Sequence, residues 1–140
     1  MKWIEEYATG VERIDQHHRM IFQTAEDFRT ALDAGEGQRT YGMLLDFLEL
    51  YCRGHFRFEE RCMEQYHCPA AKRNLKAHAG FLQALGGYRR RFGEQGYRLA
   101  DARALVDEVD RWLDGHICRV DVQLKDSVRS ATRGSPGAAG

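Results

Sequence analysis

Apolar side chains recur at steps of three and four residues along four long segments of this chain. Steps of that size place side chains on one face of an α-helix, which completes a turn about every 3.6 residues. Only two prolines, at positions 69 and 136, interrupt the chain. No stretch alternates apolar and polar residues over the length of a strand. The sequence therefore predicts an all-α protein without a sheet.

Turn and capping residues mark the ends of four predicted helices. Asp15 is a candidate N-cap for the first helix and Asp101 for the fourth, while Pro69 suits the first turn of the third. The predicted breaks lie at residues 35–37, 66–69 and 93–96. Short loops between amphipathic helices require antiparallel neighbours, which predicts an up-down-up-down four-helix bundle preceded by an N-terminal arm.

The length of 140 residues fits one compact domain with a substantial core. We assign residues 1–127 to this domain. Residues 128–140 end in a small, polar, glycine-rich segment. Such a composition is typical of a flexible tail or of the start of a linker, which would lead to a downstream signalling domain.

Charge and composition narrow the expected partners. Lys and Arg number 21 and Asp and Glu number 21, so the formal net charge is zero. No basic surface for nucleic acid or anionic lipid is therefore expected, and no apolar run is long enough to span a bilayer. The N-terminus lacks the apolar core of a signal peptide, and the four cysteines form no CxxC pair. We expect a cytoplasmic protein with free thiols and without nucleic-acid or membrane partners.

Six potential metal ligands lie on or beside the apolar stripes of the predicted helices. They are His18, His55, Glu59, His78, His116 and Asp121. An unpartnered neutral polar group in an apolar core costs roughly 2–7 kcal/mol, and a charge costs more. Because the six come from four separate segments, a bound metal cluster is the common partner that would compensate them all.

The spacing within two of the helices bears on this metal site. His55 and Glu59 are four residues apart, so they stack on one helix face. His116 and Asp121 are five apart, which separates them by about 140° around an ideal helix. Both face one centre only if the helix loosens locally, as a π-bulge would do.

Two further histidines are assigned to the surface. His17 follows the same helix but is turned about 100° away from His18. His67 lies in the predicted loop before Pro69 and is the one spare imidazole to check as a substitute ligand.

Several motifs carry a resemblance to a known family over about residues 3–124. They are Trp3 with Gly10-Val11, Ile14-Asp15-Gln16-His17-His18, His55-Phe56-Arg57-Phe58-Glu59-Glu60 with Met63, Pro69, His78-Ala79-Gly80-Phe81, and Trp112-Leu113-Asp114-Gly115-His116-Ile117 with Asp121. In combination they resemble the hemerythrin family, and specifically its bacteriohemerythrin-like domains.

The resemblance implies a hemerythrin-like bundle that holds two non-haem iron ions with an oxo or hydroxo bridge. Carried over position by position, the ligands would be His18 and His55 for one iron, His78 and His116 for the other, and Glu59 and Asp121 as bridges. The two carboxylates would offset part of the charge of two ferrous ions.

Asn74 departs from the pattern of the family, whose third helix presents a His-x-x-x-His pair. The first position of that pair falls on Asn74, one turn before His78. Three interpretations stay open: a water fills the vacant ligand position beside Asn74, the amide oxygen of Asn74 binds the metal, or the second metal binds weakly, is replaced or takes another ligand. A water there would leave both irons an exchangeable position.

The resemblance implies a protein that binds or senses O2, or a related small ligand such as NO. If the glycine-rich tail leads to a downstream signalling domain, the chain would be the sensory module of a larger signalling protein. Candidate residues for an apolar ligand pocket are Ile21, Phe22, Phe58, Met63, Trp112, Leu113 and Ile117. Two alternatives remain. An open position beside Asn74 would suit a redox enzyme acting on peroxide or NO, and the same ligands would suit a zinc-binding storage bundle.

Overall fold

Helices make up all the regular secondary structure of the computed structural model, which describes residues 1–133. The elements are a short 3-10 helix at Glu5–Tyr7, α1 at Glu12–Asp33, α2 at Gly37–Gln65, α3 at Ala71–Gln95, α4 at Leu99–Trp112, a π-helical turn at Leu113–Ile117, a 3-10 turn at Asp121–Gln123 and α5 at Leu124–Arg133. Within this part of the chain, no helix has both the length and the apolar character needed to cross a bilayer.

Consecutive long helices run antiparallel, as contacts near both of their ends demonstrate. Between α1 and α2, His17 contacts His55 and Phe28 contacts Tyr41. Between α2 and α3, His78 contacts Glu60 and Arg89 contacts Asp46. Between α3 and α4, Phe81 contacts Trp112 and Arg91 contacts Asp101, and between α1 and α4, Arg29 contacts Asp110. In the first three sets, a later residue of one helix meets an earlier residue of the next. The predicted up-down-up-down four-helix bundle is confirmed.

The first long helix begins before the residue predicted to cap it. α1 starts at Glu12, so Asp15 lies inside the helix and is not the N-cap. Asp15 Oδ1 instead accepts hydrogen bonds from the backbone N–H of Thr9 at 2.7 Å and from the Thr9 hydroxyl at 2.9 Å. The carboxylate thereby fastens the N-terminal arm to the start of α1, where the helix dipole favours a negative charge.

The breaks between the helices fall close to their predicted places. Gly35 has φ +76° and Gly96 has φ +73°, a left-handed conformation that glycine adopts without steric cost. Two details differ from the prediction. Pro69 lies before α3 instead of in its first turn, and Asp101 lies inside the first turn of α4 instead of capping it.

The last predicted helix is not continuous. After α4 the backbone widens into the π-helical turn, tightens into the 3-10 turn and then forms α5. α5 extends past residue 127, and Val128 packs against the core. The domain boundary after residue 127 stays a prediction, and residues 134–140 of the expected tail lie outside the described residues.

Two apolar clusters fill the bundle, one on each side of a polar layer. The larger cluster is built around Phe22, Phe28, Tyr41, Leu45, Leu48, Phe56, Leu85, Leu105, Leu113 and Ile117. The smaller cluster consists of Ile14, Cys62, Met63, Cys68, Ala70 and Leu124. Each fully buried large side chain contributes roughly 1.5–3 kcal/mol of burial free energy. The packing of the two clusters therefore holds the side chains of the polar layer between them in fixed positions.

Candidate metal centre

Seven polar side chains meet in the layer between the two clusters. Each is at most 3% exposed, and the set is His18, His55, Glu59, Asn74, His78, His116 and Asp121. They come from α1, α2, α3 and the turns after α4, so side chains from separate parts of the sequence do converge. Because these groups are removed from solvent, their lone pairs need partners inside the protein or a bound cation.

One group of donors, the first half of the centre, combines His18 and His55 with one oxygen of each carboxylate. His18 Nε2 lies 3.0 Å from His55 Nε2, 3.0 Å from Glu59 Oε2 and 3.2 Å from Asp121 Oδ2. His55 Nε2 lies 3.5 Å from the same glutamate oxygen. Four potential ligand atoms thus point at one small volume.

A second group of donors, the second half of the centre, combines His78 and His116 with the other two carboxylate oxygens. His78 Nε2 lies 3.0 Å from Glu59 Oε1. His116 Nε2 lies 3.1 Å from Asp121 Oδ1 and 3.8 Å from Glu59 Oε1. Each carboxylate therefore directs one oxygen to each half, which is the arrangement of a group that bridges two cations.

The π-helical turn brings His116 and Asp121 to the same centre. The backbone N–H of Cys118 donates to the carbonyl of Leu113 at 3.1 Å, a bond that spans five residues instead of the four of an α-helix. The wider turn, together with the turn at residues 118–120 that follows it, changes the angle between the two side chains enough for both to face the second half. The predicted loosening of the helix is confirmed.

The two buried carboxylates dominate the electrostatics of the site. Burial alone would lower the pKa of His18, but hydrogen bonds to Asp121 and Glu59 outweigh it and raise that pKa to about 10. The same balance raises the pKa of His116 to about 9. Burial opposes ionisation of Glu59, yet hydrogen bonds from His116, His18 and His78 hold its pKa well below the ordinary value. Without a cation, protons on His18 and His116 balance the carboxylates, and a metal ion would take the place of those protons.

The separations between donor atoms fit the coordination sphere of metal ions. Metal–ligand bonds of about 2.1 Å at right angles put adjacent ligand atoms about 3.0 Å apart. The pairs His18 Nε2–Glu59 Oε2 and His78 Nε2–Glu59 Oε1 are both separated by 3.0 Å. Imidazole nitrogen with carboxylate oxygen suits iron and zinc among the common metals. The residues of the centre therefore fit a pair of transition-metal ions.

Two residues behind the histidines were not predicted as part of the site. His78 Nδ1 lies 2.7 Å from Glu60 Oε2, so its ring has a carboxylate on the side away from the centre. His55 Nδ1 lies 3.0 Å from Nδ1 of His17, and the ring of His17 is half-buried. Burial also lowers the pKa of His55 to about 3. The surface assignment of His17 is therefore wrong, because α2 packs over it. His67 is exposed, as predicted.

Aromatic rings hold the imidazoles of the second half in place. Phe56 stacks on His78 with ring centroids 3.8 Å apart and planes at 8°. Trp112 stacks on His116 at 4.7 Å and 24°. Of these two rings only Trp112 was among the predicted pocket residues. Phe56 was recognisable in the sequence only as an apolar neighbour of His55.

The other predicted pocket residues divide between the two clusters. Ile21, Phe22, Leu113 and Ile117 are buried in the larger cluster, Met63 is buried in the smaller one, and Phe58 is half-buried against it. Their burial makes them part of the apolar packing on either side of the centre. A role in lining a ligand pocket stays a prediction.

Comparisons with known proteins agree with this arrangement. Residues 9–126 match the family model described as the hemerythrin HHE cation binding domain. The bacteriohemerythrin of Stenotrophomonas maltophilia is 29% identical over 128 residues, which cover 91% of this chain and 81% of that protein. The bacteriohemerythrin of Pseudomonas aeruginosa is 29% identical over 127 residues, covering 91% of this chain and 80% of that protein. All of the converging donors lie within the matched residues, and non-haem iron is the metal that these likenesses imply. The chain belongs to the hemerythrin family.

Proposed function

We propose that this chain holds two non-haem iron ions and binds O2, or a related diatomic such as NO, at that centre. The observation that carries the proposal is the pair of buried donor groups that share Glu59 and Asp121. Histidine and carboxylate in each group offer four protein ligand atoms. An octahedral ion accepts six, so positions are left for a bridging oxo or hydroxo group and for an exogenous ligand.

Each residue has a distinct role in this proposal. The ligands are His18 and His55 for one iron, His78 and His116 for the other, and Glu59 and Asp121 as bridges. A ferrous pair would supply the electrons for reversible oxygen binding. The match to a cation-binding family and the likeness to bacteriohemerythrins support iron over other ions.

The surrounding side chains keep the centre dry and fixed. Leu113 and Ile117 are fully buried beside His116 and belong to the larger cluster. Such packing excludes water, and stacked rings such as Phe56 and Trp112 limit the rotation of the imidazoles. A dry, rigid site keeps ligand atoms in place without reorganisation, which favours reversible binding of a small ligand over side reactions.

The test is the metal content and absorption spectrum of the purified full chain, first reduced without air and then exposed to O2. We expect two iron ions per chain and a near-ultraviolet band that appears with O2 and fades when O2 is removed. Chain purified from iron-supplemented cells that contains zinc and no iron would overturn the proposal in favour of storage. An iron-loaded chain whose spectrum ignores O2 and NO would overturn the ligand-binding part.

Two matched variants on α2 test whether iron binding depends on the shared carboxylate of Glu59. Glu59→Gln removes the charge that both halves use, so we expect fewer than one iron per chain. Glu64→Gln changes an exposed glutamate of the same helix and should retain two. Equal iron content in the two variants would contradict the bridging role of Glu59.

The remaining predictions are outcomes of further measurements. Steady turnover of peroxide or NO by the iron-loaded chain would favour the redox enzyme, for which Asn74 is the motivating residue. Sensing through a downstream signalling domain and a cytoplasmic location both stay predictions.

A further inference from the structure

We propose that Asn74 is itself a metal ligand, and that its amide oxygen completes the second half of the centre. The inference rests on the proposed metal-binding function and concerns which atoms hold the second ion. It gives that ion two nitrogen and three oxygen donors from the protein, where the first half offers two of each.

The position of the Asn74 side chain carries this inference. The side chain is fully buried. One terminal atom of its amide lies 2.9 Å from His116 Nε2 and 2.9 Å from Glu59 Oε1. The same atom lies 3.0 Å from His78 Nε2 and from Asp121 Oδ1. The amide thus contacts every donor atom of the second half at once.

Hydrogen bonding alone does not account for these four contacts. An amide NH2 group has two hydrogens, so it can satisfy only two of the four atoms that face it. An amide oxygen in the same place could accept from the imidazole N–H groups but would oppose the lone pairs of the two carboxylate oxygens, unless a cation lies among the five atoms. If a metal ion lies between the five atoms, each atom faces the ion and the repulsion between their lone pairs is offset by attraction to the cation.

The distances have the size expected for ligands of one ion. Adjacent ligands on bonds of about 2.1 Å at right angles are about 3.0 Å apart. One terminal amide atom of Asn74 is at about that separation from all four donors, as a fifth ligand of the same ion would be. A water between Asn74 and the donors would require a wider gap, since each hydrogen bond to it needs about 2.8 Å. Of the three interpretations of Asn74, direct ligation fits the contacts best.

The local backbone fixes Asn74 in this role. The N–H of Asn74 donates to the carbonyl of Ala70 at 2.8 Å in the first turn of α3. Asn74 and His78 are four residues apart, so they lie on the same face of α3. The side chain of Asn74 therefore reaches the centre from the same side as His78, one turn earlier.

The experiment compares metal release from the loaded full chain and three variants into a large excess of chelator. Asn74→Leu removes the oxygen at similar volume, Asn74→Asp keeps an oxygen and removes the NH2 group, and Gln83→Leu removes an exposed amide from the same helix. We expect two release phases in the wild type. Asn74→Leu should accelerate one phase at least tenfold and leave the other unchanged, while Asn74→Asp and Gln83→Leu should retain slow release in both.

The outcomes separate ligation from a structural role. If Asn74 only donated hydrogen bonds to the carboxylates, Asn74→Asp would lose metal as readily as Asn74→Leu, which would overturn the inference. Release from Asn74→Leu at the wild-type rate would overturn it too. As a second readout, cobalt-loaded Asn74→Leu should absorb more strongly in the visible range, because Co(II) with fewer ligands has more intense bands. A wild-type chain that binds no metal would instead refute the proposed function.

Discussion

The two halves of the centre share both carboxylates but differ in what lies behind their histidines. In the first half the ring of His55 contacts His17, whose pKa is lowered by burial and which is therefore a neutral neighbour. In the second half the ring of His78 contacts the carboxylate of Glu60. A carboxylate behind a ligand histidine orients the ring and makes its metal-facing nitrogen a stronger donor. The second half is thus the more electron-rich of the two.

Neighbouring side chains widen this difference. One end of the Asn74 amide contacts all four donors of the second half, and the stacked rings of Phe56 and Trp112 lie on His78 and His116. The second half is therefore surrounded by more groups that fix the positions of its ligands than the first half is. We expect the second half to hold its ion firmly and the first half to be the place where exogenous ligands exchange.

Complete removal of the metal should have the largest effect on the molecule. A ligand present at a hundred times its dissociation constant adds about 2.7 kcal/mol to the free energy of unfolding, which corresponds to roughly 5–15 °C in melting temperature. We expect a chelator to lower the melting temperature by this amount and to release the first-half ion before the second-half ion. Release of both ions in a single phase would contradict the difference between the halves.

The pH dependence of the metal-free chain should separate the halves next. The folded pKa of His116 is about 9 and that of His18 about 10, both above the ordinary 6.5. Because the folded state binds these protons more tightly than the unfolded state, their stabilising effect is complete below pH 6.5. It is lost as the pH rises through 9 in the second half and through 10 in the first.

Thermal unfolding of the metal-free chain between pH 7 and pH 10.5 measures this loss. The melting temperature should fall over that range. The metal-loaded chain is the control, because its ligands have already released their protons, and its melting temperature should fall less. A metal-free chain whose melting temperature is constant up to pH 10.5 would refute the proton balance described for Glu59 and Asp121.

The features that the sequence predicted are those that depend on one helix at a time. Periodicity identified the helices, and it placed His18 and His78 on buried faces because such a face is defined by steps along one segment. The five-residue spacing of His116 and Asp121 even predicted a local change of helix type. For these residues, the spacing of side chains within a single helical segment was sufficient to predict their placement.

The features that the sequence missed depend on contacts between helices. Glu60 follows Glu59 and points to the side, and only the packing of α3 against α2 brings His78 beside it. His17 was assigned to the surface for the same reason, since its own helix does not reveal that α2 covers it. Asp15 was mistaken for a cap because no local pattern reveals that its carboxylate binds Thr9 in the arm.

Neutralising Glu60 should weaken the second half selectively. Glu60→Gln retains the shape of the side chain and an acceptor for His78 but removes its charge. Losing such an outer partner typically costs about 10- to 100-fold in metal affinity. We expect this loss for the second-half ion alone, measured by competition with a chelator. The exposed Glu64→Gln is the control, and equal weakening of both halves would contradict the asymmetry.

Changing His17 should have the smallest effect, confined to the first half. His17→Phe keeps the edge-on aromatic contacts with Tyr51 and Phe58 but removes the nitrogen that faces His55 Nδ1. A hydrogen bond to a neutral acceptor contributes about 1 kcal/mol net, so the affinity of the first-half ion should fall about fivefold.

His17→Gln supplies an acceptor again and should recover part of that affinity, which a purely steric role of His17 would not allow. The same chelator competition measures both variants against the wild type. If His17→Phe weakened the first half as strongly as Glu60→Gln weakens the second, the charge behind the histidine would not be what distinguishes the halves. The difference would then have to come from Asn74 and the stacked rings alone.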